Sequence, residues 1–165
     1  MKSSLRFLPL VLALACLGMG HKHATTVRFF AEANARDGEA FSVPIKLTSP
    51  PREIYIERVP SLSEMNIKGV YPFQANDGSW GSYFILDQKG RIDLEVLSTQ
   101  RRGTAIVAFV GTAKGVHQVV DMVIDKPVTD GVIAIPRGLT EGEVKALSKE
   151  FPVIKGPETL RSRPR

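Results

Sequence analysis

Alternating apolar and polar residues predict β-strands in the first half of the chain. Residues 41–47 place Phe, Val, Ile and Leu at every second position, which is typical of a strand with one buried face. An apolar run predicts an earlier strand over residues 27–31, and the turn-forming residues 34–38 separate the two. We therefore expect an N-terminal β-hairpin over residues 25–52. Pro44 cannot donate to a neighbouring strand, which predicts that the second strand lies at a sheet edge.

Three further strands are predicted, over residues 53–57, 67–73 and 81–86. Ser61 and Glu64 follow the first of them with the spacing of a capping box, which predicts a single helical turn. The sequence Asn-Asp-Gly at 76–78 tolerates a positive φ and predicts a chain reversal between the other two strands. Those two strands should therefore pair antiparallel.

Two helices are predicted in the second half of the chain. Residues 88–101 satisfy both strand alternation and helical spacing, and we predict a helix that Asp87 caps and Gly103 ends. Thr140 and Glu143 have the spacing of another capping box, so a second helix is expected to begin there. Three apolar residues share one side of this helix: Val144, Leu147 and Phe151.

Residues 104–110 form the most apolar segment beyond the N-terminus and predict the centre of the core. The segment is apolar on both of its faces, as a central strand covered on both sides would be. Shorter strands are expected over residues 119–125 and 131–135. The sequence therefore predicts an α+β fold, a mostly antiparallel sheet with two helices packed on it.

The order of these elements over residues 53–152 resembles the head of the first periplasmic domain of SecD, a subunit of the SecDF protein-export complex. The similar segments are the strand at 54–56, the proline-led turn at 60–67, the strand at 81–86, the Gly-led apolar strand at 103–108, the segment 128–135 and the Gly-Leu-Thr helix start at 138–144. The resemblance implies the SecD head fold over 53–152 and a role in contacting translocating polypeptide outside the membrane. It implies a head without its motor, because no stretch after residue 20 approaches the about 20 apolar residues that span a bilayer.

The first twenty residues have the layout of an export signal. Lys2 and Arg6 precede a run without charges over residues 7–19. The segment from Leu12 to Cys16 resembles a lipobox, with Ala15 before the only cysteine of the chain. A lone thiol has no disulfide partner in an oxidising compartment, which favours a lipoprotein signal cleaved before Cys16 and a lipid anchor on its thiol.

Two other interpretations of residues 1–20 remain open. Simple cleavage after Gly20 would free a terminus beginning His21-Lys22-His23, which could bind Cu(II) in a square plane. Lipidation of Cys16 would abolish that site by moving both histidines inward. Retention as a membrane anchor is the least favoured, because the apolar run is short and contains Pro9.

The charge of the chain argues against nucleic acid as a partner. The formal charge is +5, from 22 Lys and Arg against 17 Asp and Glu, and it falls to +3 once Lys2 and Arg6 are removed with the signal. The remaining cations are scattered instead of clustered on one face, and phosphate contacts need clustered cations. We interpret residues 153–165 as a basic, frayed tail.

No motif predicts catalysis, a cofactor or a metal. His117, Asp121 and Asp125 would converge on one face of a helix, but along a strand they span roughly 26 Å, at about 3.3 Å per residue. The glycine-bearing segment 111–115 lacks the full phosphate-loop spacing and predicts a hairpin loop. Two serines lack the flanking glycines of a nucleophile elbow: Ser82 and Ser98.

The sequence therefore predicts a noncatalytic exported module of the periplasm or cell envelope, tethered by lipid at Cys16. Its expected partner is a polypeptide or envelope protein, with the Sec export machinery as one candidate. An extended partner could add a strand at an exposed sheet edge, either at Pro44 or at the Tyr55 strand. The alternative is a small envelope hydrolase or metal-binding protein that uses His117 and Asp121.

Overall fold

A computed structural model describes residues 24–48 and 51–155. Eight strands and two α-helices occur there, with short 3-10 turns at Ala35–Asp37 and Glu64–Asn66. The elements in chain order are β1 (Thr26–Ala33), β2 (Ser42–Thr48), β3 (Pro51–Glu57), β4 (Ile67–Gln74), β5 (Trp80–Leu86), α1 (Gln88–Gln100), β6 (Ala105–Thr112), β7 (Gly115–Val123), β8 (Val132–Leu139) and α2 (Glu141–Glu150). The predicted α+β class is confirmed.

The strands divide into two antiparallel sheets, of which the larger has the order β2-β3-β1-β6-β7. The predicted hairpin between the first two strands is wrong, because β2 pairs with β3 along its whole length, from Ser42 opposite Glu57 to Thr48 opposite Pro51. β1 lies instead between β3 and β6. The loop after β1 contains the first 3-10 turn, and a hydrogen bond from the Arg36 N–H to the Asn34 side chain closes that turn without pairing β1 to β2.

β6 is the central strand that its apolar sequence predicts. Its side chains alternate between two separate apolar clusters, one on each face of the sheet. Ile106, Ala108 and Val110 belong to the larger cluster, which also contains buried residues of the second sheet and of both helices. Ala105 and Val107 belong to a smaller cluster on the opposite face. Both faces of the strand are therefore covered, as the sequence indicates.

The second sheet has the order β4-β5-β8, and both predicted helices are confirmed beside it. The Asp87 carboxylate accepts the Gly90 N–H at 2.7 Å and caps α1. Thr140 and Glu143 form the expected reciprocal box at the start of α2. These caps satisfy N–H groups that the first turn of a helix leaves without partners.

The helical turn after β3 is present, but its cap differs from the prediction. Ser61 and Glu64 do not form the reciprocal box, and the turn begins one residue after Ser63. The Asn66 side chain accepts the Ser63 N–H at 3.1 Å. Glu64 turns instead toward Arg28 on β1. Glu64 therefore forms a long-range ion pair, and it does not form the local cap that its spacing predicted.

Candidate functional site

One face of the larger sheet carries the smaller apolar cluster. Leu47 on β2 and Ile54 on β3 cluster with Ala105 and Val107 on β6. Phe30 of β1, the strand between β3 and β6, also packs against this cluster. The cluster therefore extends across one face of the sheet from β2 to β6.

An open groove of about 420 Å³ continues from this cluster along the same face of the sheet. All five strands of the sheet contribute to its lining, together with Arg58 directly after β3. The lining residues are Thr26, Arg28, Phe30, Val43, Ile45, Ile56, Glu57, Arg58, Phe109 and Val116. Most of these side chains are apolar and only partly buried by the protein itself. Ligand sites characteristically combine such an apolar concave lining with a few polar groups.

Two aromatic rings on neighbouring strands contribute to the lining. Phe30 of β1 and Phe109 of β6 pack edge to face, with ring centroids 5.5 Å apart and an interplanar angle of 89°. Gly111 lies opposite both Thr26 and Val116 in the register. A Cβ atom at this glycine would collide with the Thr26 hydroxyl and would come within 3.1 Å of Val116. The glycine therefore lets groove residues of β1 and β7 come close together.

The rim of the groove carries three charged side chains. Arg28 contacts the Glu64 carboxylate through Nε at 3.4 Å and Nη2 at 3.3 Å. Arg58 donates its Nε hydrogen to the Glu39 carbonyl oxygen at 2.7 Å. Glu57 accepts from Arg101 Nη2 at 2.8 Å, so its charge is neutralised within the protein.

A second cavity, of about 530 Å³, adjoins the groove at Glu57 and Arg58. Its other lining residues include Phe41, whose surface is 70% exposed, and Val59, which is also exposed. Isolated exposed apolar side chains are common on protein surfaces, but these two extend an apolar groove.

Two carboxyl groups have lowered pKa values, and both lie outside the groove lining. Hydrogen bonds from the Ser79 hydroxyl and backbone N–H lower the pKa of Asp77 in the turn between β4 and β5. The hydrogen bond and charge of Lys145 lower the pKa of Glu141 at the start of α2. Each carboxylate serves a local turn or helix end, so neither indicates an acid or base at the groove.

The structure separates His117 and Asp121, the pair proposed for a hydrolase or metal site. Strand alternation predicts that they share a face, and this prediction is wrong. A bulge in β7 shifts the register between Ala108 and Phe109, so that His117 lies opposite Val110 and Asp121 lies opposite Val107. Because those two residues of β6 belong to opposite clusters, the imidazole and the carboxylate lie on opposite faces of the sheet.

His117 has a partner on the helical side of the sheet. Its Nδ1 lies 3.2 Å from Glu143 Oε1, the carboxylate that also caps α2. The contact joins the edge strand β7 to the helix. It gives His117 a partner on α2, on the face of the sheet opposite Asp121.

The remaining chemical candidates are also placed by the structure. Asp125 lies beyond the end of β7, and no group of three or more His, Cys, Asp and Glu side chains within the described ranges could hold a metal ion. The Ser98 hydroxyl accepts the Val128 N–H at 2.8 Å. Segment 111–115 forms the predicted hairpin loop between β6 and β7. Three candidates at the N-terminus lie outside the described residues: Cys16, His21 and His23.

The predicted sheet edges are half right. The Pro44 strand, β2, is an edge of the larger sheet, as predicted. The Tyr55 strand, β3, is not, because it lies between β2 and β1. The prediction failed at Tyr55 because it assumed that β1 pairs with β2.

The β2 edge is poor in backbone donors. The Arg58 N–H bonds to the Phe41 carbonyl, and the antiparallel alternation then points the N–H groups of Ser42 and Lys46 away from β3. The Ser42 N–H is already bonded to the Gly38 carbonyl at 3.1 Å, and Pro44 has no N–H. Lys46 therefore supplies the one outward backbone donor between Ser42 and Leu47 that is left for a partner strand.

Neither helix in the described part of the chain has the length and apolar character to cross a membrane.

No protein-family model and no curated protein matches the chain. Solved structures of SecDF match it, among them the following two. One is described as a membrane component, SecDF, that enhances protein export; its TM-score is 0.51, its identity is 12%, and the match covers 82% of this chain and 70% of that one. The chain has a SecDF-like fold.

The second structure is SecDF in a super-membrane-facing form, with a TM-score of 0.51 and 14% identity over 79% of this chain. This chain spans about a fifth of that protein, since the match covers 20% of its length. The predicted resemblance to a SecD periplasmic domain is therefore confirmed for the fold. Identities this low establish the fold alone.

Sequence patterns did not reveal the groove. Phe30 follows Phe29 directly, and only Phe29 lies in the larger cluster. Adjacent large apolar residues in a strand indicate that both of its faces are covered or used, and this signal is present in the sequence. The partners across the groove could not be predicted, because the wrong pairing of β1 and β2 placed Val43 and Ile45 elsewhere.

Proposed function

We propose that the protein is a noncatalytic exported module that binds extended polypeptide segments in the groove of the larger sheet. The observation that carries the proposal is the open apolar lining, which includes the paired rings of Phe30 and Phe109 and the exposed Val116. An extended chain presents side chains on alternate faces, so one face could fill the apolar positions of the groove. The SecDF-like fold supports a setting in protein export, and the Sec machinery or another envelope protein would supply such segments.

Binding through side chains suits this molecule better than strand addition. The β2 edge offers few backbone donors, whereas the groove offers apolar surface contributed by all five strands. Burying apolar surface contributes about 25 cal/mol for each Å² removed from water. Such binding requires apolar side chains but no specific sequence. This suits a partner polypeptide that is still unfolded when it binds.

We further propose that a lipid on Cys16 holds this groove close to a membrane in the periplasm or cell envelope. Thr26 lines the groove and follows Cys16 by ten residues. Ten extended residues reach at most about 35 Å. A lipid anchor would therefore keep the groove within that distance of the membrane surface, where exported chains emerge.

The groove predicts a difference between two valines of β7. Val116 lines the groove and is 71% exposed, whereas Val123 on the same strand is 62% exposed and does not line it. We expect Val116→Gln to weaken binding of a fluorescein-labelled peptide of alternating Leu and Ser by about tenfold, because burying a valine side chain stabilises by about 1.5 kcal/mol. Fluorescence anisotropy measures the dissociation constant.

Val123→Gln is the matched control and should leave the affinity unchanged. Both substitutions replace an exposed apolar side chain with the same neutral one, so effects on folding should be equal and small. Equal affinities for the two variants, or no binding of the peptide by the wild type, would contradict the proposed groove.

The lipid anchor predicts a second pair of results. A full chain expressed in a bacterium should incorporate labelled palmitate and sediment with membranes. Cys16→Ser should lose the label and appear in the soluble fraction. A labelled chain establishes the mature terminus at Cys16, and an unlabelled wild type would show that the cysteine leaves with the signal.

A further inference from the structure

We propose that the groove selects extended apolar segments that carry an acidic residue beside the apolar stretch. This inference rests on the proposed polypeptide binding and adds the class of segment. The groove lining contains two arginines, Arg28 and Arg58, against one carboxylate, Glu57. The charges of these three groups, after their contacts within the protein are counted, decide the preference.

Glu57 contributes little negative charge to the groove. One of its oxygens accepts from Arg101 Nη2 at 2.8 Å, and the other accepts the Ser61 hydroxyl at 3.2 Å. Arg101 also donates to the Glu32 carbonyl oxygen at 3.1 Å, which fixes its guanidinium beside the carboxylate. An acidic group fixed by an ion pair and a hydroxyl does not repel a second carboxylate as a free one would.

The arginines keep part of their hydrogen-bonding capacity. Arg58 uses Nε for the Glu39 carbonyl, and its two Nη nitrogens make no hydrogen bond within the described residues. Arg58 makes no ion pair in the described part of the chain, and the acidic Asp37 lines the adjoining cavity with it. Arg28 is ion-paired with Glu64 through Nε at 3.4 Å and Nη2 at 3.3 Å, so its charge is already shared with a carboxylate. A guanidinium presents parallel N–H donors that match a carboxylate, so Arg58 is the side chain best suited to an acidic residue of a bound segment.

The neighbouring charges on the same hairpin do not cancel this bias. Lys46 alternates with Val43 and Ile45 along β2, and its side chain points to the opposite face of the strand. Glu53, its cross-strand partner, lies on that same opposite face. Charges across the sheet are separated from the groove by its backbone, and salt screens them over about 8 Å. The groove therefore presents an apolar lining with a positive rim.

The test compares two labelled peptides with the same alternating Leu and Ser core, one flanked by two aspartates and the other by two lysines. We expect the acidic peptide to bind at least about tenfold more tightly at 150 mM salt, and the preference to shrink at 500 mM. Arg58→Gln should reduce the preference severalfold. Arg58→Lys should retain most of it, because it keeps the charge.

Lys46→Gln is the control for a cation on the same hairpin outside the groove, and it should leave the preference unchanged. Equal affinities for the two peptides, with Val116→Gln still weakening both, would overturn the acidic selectivity and leave the groove in place. Absence of binding by either peptide would overturn both proposals. Displacement of the acidic peptide by micromolar laurate, an anionic lipid with the same combination of chain and carboxylate, would overturn the choice of a polypeptide as occupant.

Discussion

Phe84→Ala lowers the free energy of unfolding by about 3–5 kcal/mol, the usual cost of truncating a fully buried phenylalanine. Phe84 is 0% exposed at the middle of β5. Its ring packs edge to face on Phe29 of β1, with centroids 5.8 Å apart. The two rings belong to different sheets, so the substitution opens a cavity where the two sheets meet.

Urea unfolding followed by circular dichroism measures this loss. Met65→Ala is the control, since Met65 is 80% exposed and its truncation should cost less than about 0.5 kcal/mol. In thermal unfolding, Phe84→Ala should lower Tm by about 2–4 °C for each kcal/mol. A loss no larger than that of Met65→Ala would show that the two sheets do not share a core at Phe84.

Gly81→Ala should destabilise the protein by about 2–3 kcal/mol, because the added methyl group overpacks a closed site. A Cβ atom at Gly81 would lie 2.6 Å from the Pro136 carbonyl oxygen and 2.7 Å from that of Ile135, both on the neighbouring strand β8. These are backbone atoms, so relief requires β5 and β8 to separate. The register between these strands already shifts beside Gly81, between Trp80 and Ser82.

The same substitution at Gly142 should have the opposite sign. Gly142 lies in the first turn of α2, and the nearest atom to an added Cβ is the Thr140 hydroxyl at 4.0 Å. Alanine stabilises a helix relative to glycine by about 0.5–1 kcal/mol. Urea unfolding of both variants should therefore move their midpoints in opposite directions, and a decrease of similar size in both would contradict the close approach at Gly81.

The sequence predicted correctly those elements that are determined by residues close together in the chain. The caps at Asp87 and Thr140 form within four residues of the chain, and both predicted helices begin there. The apolar segment 104–110 predicted the central strand, because a segment that is apolar on both faces can be recognised without knowing which strands lie beside it. The SecD-like order of elements added the fold, which the SecDF structures bear out.

Non-local pairing accounts for what the sequence did not predict. The strand order places β3 beside β1, and a turn-rich loop after Ala33 gave no sign of this. The bulge in β7 places His117 and Asp121 on opposite faces of the sheet, and alternation cannot detect one extra residue in a ladder. Both errors concern which residues lie opposite each other, and the groove depends on that pairing.

Pro44 and the bonded Ser42 N–H bear on how long a polypeptide would stay bound in the proposed groove. A partner joined to a sheet edge is held by a row of backbone hydrogen bonds, and such edges also recruit further strands into aggregates. The β2 edge lacks two of the donors in such a row, so on the proposed function a chain in the groove would be held mainly through its side chains. A bound chain could then leave the groove without first breaking a continuous backbone ladder.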